Sequence, residues 1–558
     1  MKFRVLSLLV LCLLWGVHAY GQEDRGRISG VVTDTTDAAI PKANVELTNE
    51  ATHVVQTAHS NDTGQYVFDL LIPGLYTVQV DAPGFRHFTA THVRLEIAAK
   101  VSVNAKLAVG QNTETVTVDE HGVVLKTSDA ILGSTIEYRS IEDLPTQYGN
   151  AFELQLLQPG VISTTLSNGN HDYEGGSEST KIDGAQSGQT EFTIDGAPDT
   201  RNGGAGSTAF IPSHEFVGEF KVITGPYDAS LSHTSGGSLD SSIKAGTSQF
   251  HGGASFYWQP GTVNARGYSF SNAKVTPTEY NRETAFVGGP VFKKNQKLFF
   301  FGGFEKEHQS QGKQSVQTVP TDAEKNGDFS ALFNYGSTIT QYKQTVCTGV
   351  TQTWNPYQIF NAYSETADPR CSGRYLRQPF KDASGNPTNV IPAGMIDPIA
   401  KKIIAYYPEP TGSSAETVDG RNNYVWNGAN VDHYWSVVNR EDYNINDRQK
   451  MFGHFYTSKR VQPGKNRFFP GASGQTLTLK NYGGVLDYVN TINSSTVLNA
   501  RYSFTRFSTV TSLDARTTVD DLGIPGNLLA GVPDIARGFP EVKISGFGTL
   551  GNSDPGVE

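Results

Sequence analysis

The sequence predicts a mainly β chain in three parts. A small β-sandwich comes first, a mixed α+β region second, and an antiparallel sheet with the period of transmembrane barrel strands third. Three observations carry this: short Val- and Thr-rich runs between turn signals near the start, one helix-like stretch in the middle, and long polar/apolar alternations from about Thr247 onward.

The chain opens with an export signal. Lys2 and Arg4 are followed by the apolar run Val5 to Trp15, then small residues at Ala19 and Gly21 and the polar run Gln22-Glu23-Asp24-Arg25. The apolar run is too short to cross a bilayer, which needs about 20 residues. Residues 1–21 are therefore read as a signal peptide; cleavage after Ala19 or after Gly21 both fit, and Gly21 is preferred. No later run reaches the length of a membrane helix. Barrel strands need only about 9–11 residues, so a membrane β-barrel and a soluble secreted protein both remain open at this point.

Composition narrows the partners. The 558 residues carry a net charge of −10 and no Lys/Arg cluster along the sequence, so nucleic acid is not an expected partner. Of the three cysteines, Cys347 and Cys371 remain after signal removal. In an oxidising compartment they either pair, stapling one loop, or stay as two free thiols.

Residues 26–109 contain Ile28-Ser29-Gly30-Val31-Val32, Ala43-Asn44-Val45-Glu46-Leu47, Tyr66-Val67-Phe68 and Tyr76-Thr77-Val78-Gln79-Val80. Asn61-Asp62-Thr63-Gly64, Pro73-Gly74 and Pro83-Gly84 punctuate them as turns. Short strands so spaced predict an antiparallel sandwich with its own small core. Residues 110–121 form a polar linker holding the β-branched run Glu114-Thr115-Val116-Thr117-Val118. Residues 122–246 follow, with a helix capped by Asn150 and stopped by Pro159-Gly160, and with Phe152, Leu156 and Leu157 on one face.

Residues 247–558 hold the alternating segments. In Thr496 to Phe504, Leu498, Ala500, Tyr502 and Phe504 share one face, and Asn499, Arg501, Ser503 and Thr505 the other. Further strands are expected in Phe250–Gln259, Thr284–Phe292, Lys297–Glu307, His433–Asn446, Lys450–Lys459 and Asn481–Asn490, with a tight turn at Asn490–Ser494 and an outward loop over Gln309–Asn430.

No catalytic, cofactor or metal residues are predicted. His171 and Glu174 have the His-x-x-Glu spacing of a zinc pair but lie in a glycine-rich loop with no third ligand in view. Asp183-Gly184 and Asp195-Gly196 read as turns rather than calcium sites.

Several motifs resemble known families. Gly30-Val31-Val32-Thr33-Asp34, Ile40-Pro41, Gly64-Gln65-Tyr66-Val67-Phe68, Pro73-Gly74-Leu75-Tyr76 and Gly84-Phe85 resemble the carboxypeptidase regulatory-like domain, a non-catalytic module. The chain departs from it at Asp34-Thr35-Thr36-Asp37, where that family places a glycine. Leu144-Pro145 through Gln158-Pro159-Gly160-Val161, Phe192-Thr193-Ile194-Asp195-Gly196, and Phe216 to Gly252 resemble the plug of TonB-dependent receptors and its join to the barrel. Phe286 to Val291 with Phe299 to Gly302 resembles the next hairpin, and Ile391-Pro392 through Tyr406-Tyr407-Pro408 a loop of the Oar-like subgroup.

The whole chain thus resembles an Oar-like TonB-dependent outer-membrane receptor. The fold this implies is mainly β: a small β-sandwich, then an α+β plug domain (122–246), then the N-terminal part of an antiparallel transmembrane β-barrel (247–558). The implied location is the outer membrane of a Gram-negative-type bacterium, with the N-terminal domain in the periplasm. The implied partners are the TonB energy-coupling protein, outer-membrane lipid and a substrate the sequence does not name. Glu114-Thr115-Val116-Thr117-Val118 is the TonB-box candidate, and its alternatives are a last sandwich strand or a plain linker. Family barrels are wide enough to hold a plug, whereas about eight strands leave an interior just filled by side chains. With seven or eight strands in view, a truncated chain is expected. The alternative function is a secreted or surface-exposed β-rich adhesion protein without transport.

Overall fold

The structure is a computed structural model. It describes residues 25–551 except 111–114, 120–131, 145–148, 164–179, 187, 201–207, 226–235, 264–277, 294–296, 333–341, 348, 355–356, 412–420, 466–468, 470, 494–495, 515–516 and 534–536. The signal segment and the His171/Glu174 pair lie outside the described residues.

The first nine strands are β1 (Gly26–Asp34), β2 (Asn44–Asn49), β3 (Val55–His59), β4 (Gln65–Leu71), β5 (Gly74–Asp81), β6 (His87–Leu95), β7 (Lys100–Ser102), β8 (Ala105–Leu107) and β9 (Thr115–Asp119). They form two sheets, one in the order β4-β1-β7 with β8 also on β1, the other β3-β2-β5-β6-β9. Alternate residues turn inward, so Ile28, Val32, Val45, Leu47, Tyr66, Val78 and Val80 make one buried core. At Asp34–Asp37, Asp37 takes the left-handed φ of +65° that a glycine would take. The Asp34 carboxylate accepts from the Thr36 and Ala38 amides and holds the turn, which explains how the glycine is dispensed with.

The middle region contains β10 (Leu132–Glu137), β11 (Val161–Ser163), β12 (Thr180–Ile182), β13 (Glu191–Ile194), β14 (Ala197–Pro198), β15 (Val217–Gly225) and β16 (Ser238–Ile243). Its main sheet runs β10-β15-β16-β13-β14. The helix expected after Asn150 is a 3-10 helix, Ala151–Leu157, and the Asn150 side chain accepts from the Phe152 amide at 2.9 Å. The tighter winding changes the face: Phe152, Leu154 and Gln155 are buried, and Leu157 is exposed. Phe152 packs on Phe192 and Phe220 of the sheet.

The last region is dominated by one sheet. Its strands are β17 (His251–Gln259), β18 (Thr278–Pro290), β19 (Leu298–Gln317) and, after the short loop hairpins β20 (Tyr342–Cys347), β21 (Val350–Trp354), β22 (Thr366–Ala367), β23 (Tyr375–Leu376), β24 (Phe380–Lys381) and β25 (Pro387–Thr388), β26 (Tyr424–Asn444), β27 (Gln449–Lys465), β28 (Gln475–Asn493) and β29 (Thr496–Leu513). The seven long strands form an antiparallel meander in chain order, β17-β18-β19-β26-β27-β28-β29. Each expected strand is present, and most run longer than expected. β28 continues to Asn493, which pairs with Thr496, so the chain reverses after Asn493 rather than at Asn490. The long connection shrinks to residues 318–423, because β19 and β26 extend into the span Gln309–Asn430. A separate core of Val319, Tyr407, Tyr424, Phe469, Leu522 and Phe539 gathers the loops at that end.

The long sheet has an inverted pattern of burial. Glu305, Ser436, Arg440, His454, Asn481 and Asp487 face the middle region and are buried. On the opposite face, Phe304, Val437, Phe455, Leu486, Tyr502 and Phe504 are exposed, Tyr502 at 70%. A water-soluble sheet would do the reverse; apolar-out and polar-in is the pattern of a barrel wall in lipid.

Gly30 marks the tightest backbone approach in the sandwich. A Cβ there would sit 1.8 Å from the Val103 carbonyl oxygen. Gly30→Ala is expected to force β1 away from the Val103 strand connection and to cost about 1–3 kcal/mol, measured by denaturant unfolding of the whole chain.

Candidate functional site

The region where the middle sheet meets the wall is built around one hairpin. β13 and β14 pair Ile194 with Ala197, leaving Asp195-Gly196 as a two-residue turn. Asp195 at φ +49° and Gly196 at φ +71° give the type I′ geometry that suits the strand twist. The hairpin carries Asp195 and Asp199 into the wall, where both side chains are buried.

Asp195 is held from two wall strands. Arg440 on β26 donates from Nη1 to Oδ1 at 2.7 Å, and His454 Nδ1 lies 2.9 Å from Oδ2. Arg440 also donates to the Ile243 carbonyl at 3.0 Å and to both carboxylate oxygens of Asp442 at 2.9 and 3.1 Å. Burial opposes ionisation of Asp195, but the Arg440 charge and His454 together hold its carboxyl below the usual range. Among the described residues, no cation is paired with Asp199. Burial raises its carboxyl well above the ordinary value, against the Phe210 amide and the Tyr456 hydroxyl, which donates to it at 3.2 Å.

Further contacts surround this centre. Asn481 Nδ2 donates to the Ala209 carbonyl, Thr505 donates to the Pro198 carbonyl at 2.8 Å, and the Phe210 ring stacks on Tyr456 at 4.4 Å. On the first wall strands, Arg282 donates to Glu215 at 2.9 Å, and Ser255 donates at 2.8 Å to the same carboxylate. Burial again opposes, yet Arg282 and His214 hold Glu215 down at about 2.

The sandwich joins the other two regions. Arg25 pairs with Asp487 on β28 at 2.9 Å and lies 4.7 Å above the Phe452 ring. Beyond the end of β6, the Ile97 amide donates to Glu219 on β15, and Thr135 on β10 donates to Glu96 at 2.9 Å. Burial pushes the Glu219 carboxyl up to about 7, against the Ile97 amide and the Arg94 charge.

The predicted site residues fall as follows. Thr115, Val116, Thr117 and Val118 lie on β9, which pairs in parallel with β6 from His87↔Thr115 to Thr91↔Asp119. In this structure the backbone takes the sandwich-strand alternative, at the sheet's edge, and Glu114 lies outside the described residues. Cys347 and Cys371 are disulfide-bonded, with Cα atoms 6.0 Å apart, in the connection between β19 and β26. The Asp183-Gly184 and Asp195-Gly196 pairs are left-handed turn positions. No cluster able to hold a metal is found among the described residues. The sequence reading missed Arg440, His454, Tyr456, Asn481 and Asp487. The signal available was their place on the polar phase of the alternation, the phase that a barrel turns inward.

Arg440→Leu leaves the buried Asp195 without its main cation and is expected to cost about 3–5 kcal/mol, read from the denaturant midpoint; Arg440→Leu with Asp195→Asn recovers part of it. Glu219 favours its neutral form when folded, its carboxyl moving from 4.5 to about 7. Its contribution to stability is complete below about 4.5 and is lost as pH rises through 7. Glu219→Gln should flatten that slope between pH 4.5 and 8; an unchanged slope assigns the dependence elsewhere.

Comparison with known proteins adds the family context. The family described as "Outer membrane beta barrel domain" matches residues 242–558, and "Carboxypeptidase regulatory-like domain" matches residues 27–108. The TonB-dependent transporter Oar of Myxococcus xanthus is 26% identical over 308 residues, covering 52% of this chain and 27% of that protein. Among solved structures, the outer membrane transporter YddB of Escherichia coli aligns with TM-score 0.40 and 12% identity, over 68% of this chain and 40% of that one. The ferric enterobactin receptor PfeA of Pseudomonas aeruginosa aligns with TM-score 0.31 and 10% identity, over 68% and 46%. The chain spans less than half the length of each of these relatives.

Proposed function

The chain belongs to the outer-membrane β-barrel family and lies in the outer membrane, and from that premise we propose that it serves TonB-dependent transport. The observation that carries the membrane half of this reading is the inverted wall: exposed Leu486, Tyr502 and Phe504 against buried Asn481 and Asp487. The transport half rests on the middle region acting as a plug. It is fixed to the wall by buried polar contacts at Asp195, Asp199, Glu215 and Ala209 rather than by a wholly apolar interface. Polar contacts can be exchanged for water when the plug moves, so that part of the interface opens at low cost, while the Phe210, Phe216 and Ile243 contact with Phe301, Val438 and Tyr456 resists the pull.

The outer membrane has no ATP and no sustained ion gradient, so the pull comes from the inner membrane. In this reading TonB engages the segment Glu114–Val118 from the periplasm. Thr115–Asp119 is already extended and forms the last strand in its sheet's order, so a TonB strand adds to the edge by main-chain hydrogen bonds. β-Branched residues favour that extended state. The sandwich, plug and wall do no bond-making chemistry in this reading, and the loops between β19 and β26 with their Cys347–Cys371 bridge face the substrate.

A proline has no N–H to donate and breaks strand pairing. Val116→Pro or Val118→Pro is expected to abolish binding of the purified chain to the periplasmic domain of TonB, measured by pull-down or calorimetry. Undiminished binding would place the TonB contact elsewhere.

A further inference from the structure

The outward face of the wall carries a feature that transport does not use. Strand register sets Lys306 opposite Trp435, Trp435 opposite Lys459, and Lys459 opposite Lys480, in one row across four strands. These side chains occupy the lipid-facing phase, since their neighbours Glu305, Ser436, Ser458 and Asn481 are buried against the middle region. One row nearer the apolar belt, Arg506 stands opposite Tyr482, its guanidinium 5.9 Å from the ring. One row farther out, His308 and His433 are opposed, their Nδ1 atoms 3.2 Å apart.

Like charges directly opposite on neighbouring strands are destabilising, and the low dielectric beside lipid makes this worse. Glu283, 3.9 Å from Lys306, is the one carboxylate ion-paired with these lysines among the described residues. Lys459 and Lys480 have no ion pair among the described residues. A row of cations in this setting calls for anions from outside the protein.

The height of the row says which anions are near. The short turns after β26 and the sandwich lie at one end of the wall, and the long connections at the other. Exposed Met451 marks the belt near the short-turn end, eight positions before Lys459 on β27. At about 3.4 Å per residue and a tilt near 40°, that separation is roughly 20 Å along the barrel axis, most of a belt about 25 Å tall. The row therefore meets the outer-leaflet boundary, where the amphipathic ring of Trp435 also belongs. Headgroup phosphates lie at that depth.

We propose that Lys306, Lys459 and Lys480, backed by Arg506 and the His308–His433 pair, bind the phosphate groups of a phosphorylated outer-leaflet lipid. Three flexible ammonium groups satisfy phosphate oxygens as point charges, and Trp435 lies among the upper acyl chain. The inference rests on the wall lying in the membrane.

The test uses the full chain extracted from outer membranes in neutral detergent. It is titrated with bisphosphorylated lipid A, dephosphorylated lipid A and inorganic phosphate, and bound ligand is counted by native mass spectrometry. Lipid A is expected to bind at least tenfold more tightly than its dephosphorylated form. Lys306→Gln/Lys459→Gln/Lys480→Gln should erase that difference, and Lys306→Arg/Lys459→Arg/Lys480→Arg should keep it, which guards against misfolding of the first variant. Equal binding of the two lipids, or a glutamine variant that still discriminates, overturns the proposal. Inorganic phosphate that displaces lipid A at equal concentration overturns the lipid assignment. A chain that pellets with outer membranes but shows no phosphate dependence refutes the row alone, whereas a chain soluble without detergent refutes both the row and the membrane reading beneath it.

Discussion

A strand that crosses lipid must give every backbone hydrogen bond to a neighbour and turn its apolar side chains away from the protein. Within the seven-stranded wall, β18, β19, β26, β27 and β28 each pair on both sides, while β17 and β29 are the outer strands of the sheet. Its strands pair in unbroken antiparallel order, and its outward residues include Phe304, Phe455, Leu486 and Phe504. The rest of the molecule follows from this choice. With much of the apolar phase spent on lipid, the inner phase mixes polar residues with a few apolar ones, so whatever sits inside is held by hydrogen bonds and ion pairs beside a small apolar contact of Phe210, Phe216 and Ile243 with Phe301, Val438 and Tyr456. The hairpin bearing Asp195 and Asp199 answers that requirement.

Such an interior has a particular mechanical character. Buried ion pairs add little net stability over apolar packing, but breaking one partner is costly. Asp195 is satisfied only where Arg440 and His454 reach it together, so the pairing fixes position more than it adds strength. The sandwich is tied in by the same kind of contact, through Arg25 to Asp487 and through Ile97 to Glu219. A pull applied at β9 therefore reaches the middle sheet both along the chain and through β6, whose end is anchored on β10 and β15.

Much of the fold was legible because two periods were. Alternation over Thr496 to Phe504 marks a strand with unlike faces, and the turn signals at Asn61–Gly64 and Pro83-Gly84 divide the sandwich. Strand ends were not legible: β19 and β26 pair out to Gln317 and Tyr424, where the wall has left the apolar layer and no apolar phase marks the strand. The helix after Asn150 was legible from its cap, but not its 3-10 winding, which buries Leu154 and exposes Leu157. The site was the least legible part. Asp195-Gly196 reads as a turn and is one, yet its partners lie 245 and 259 residues away. Lysines spread from 306 to 480 form no cluster in the sequence and become one only through register.

The central claim is that the long sheet faces lipid with the side that a soluble protein would bury. Single cysteines at Leu486, Tyr502 and Phe504, in isolated outer membranes, test it directly, using the chain's labelling by a membrane-permeant and a water-soluble maleimide. All three are expected to react with the permeant reagent and to resist the water-soluble one until detergent is added. Prompt reaction of all three with the water-soluble reagent in intact membranes would contradict it.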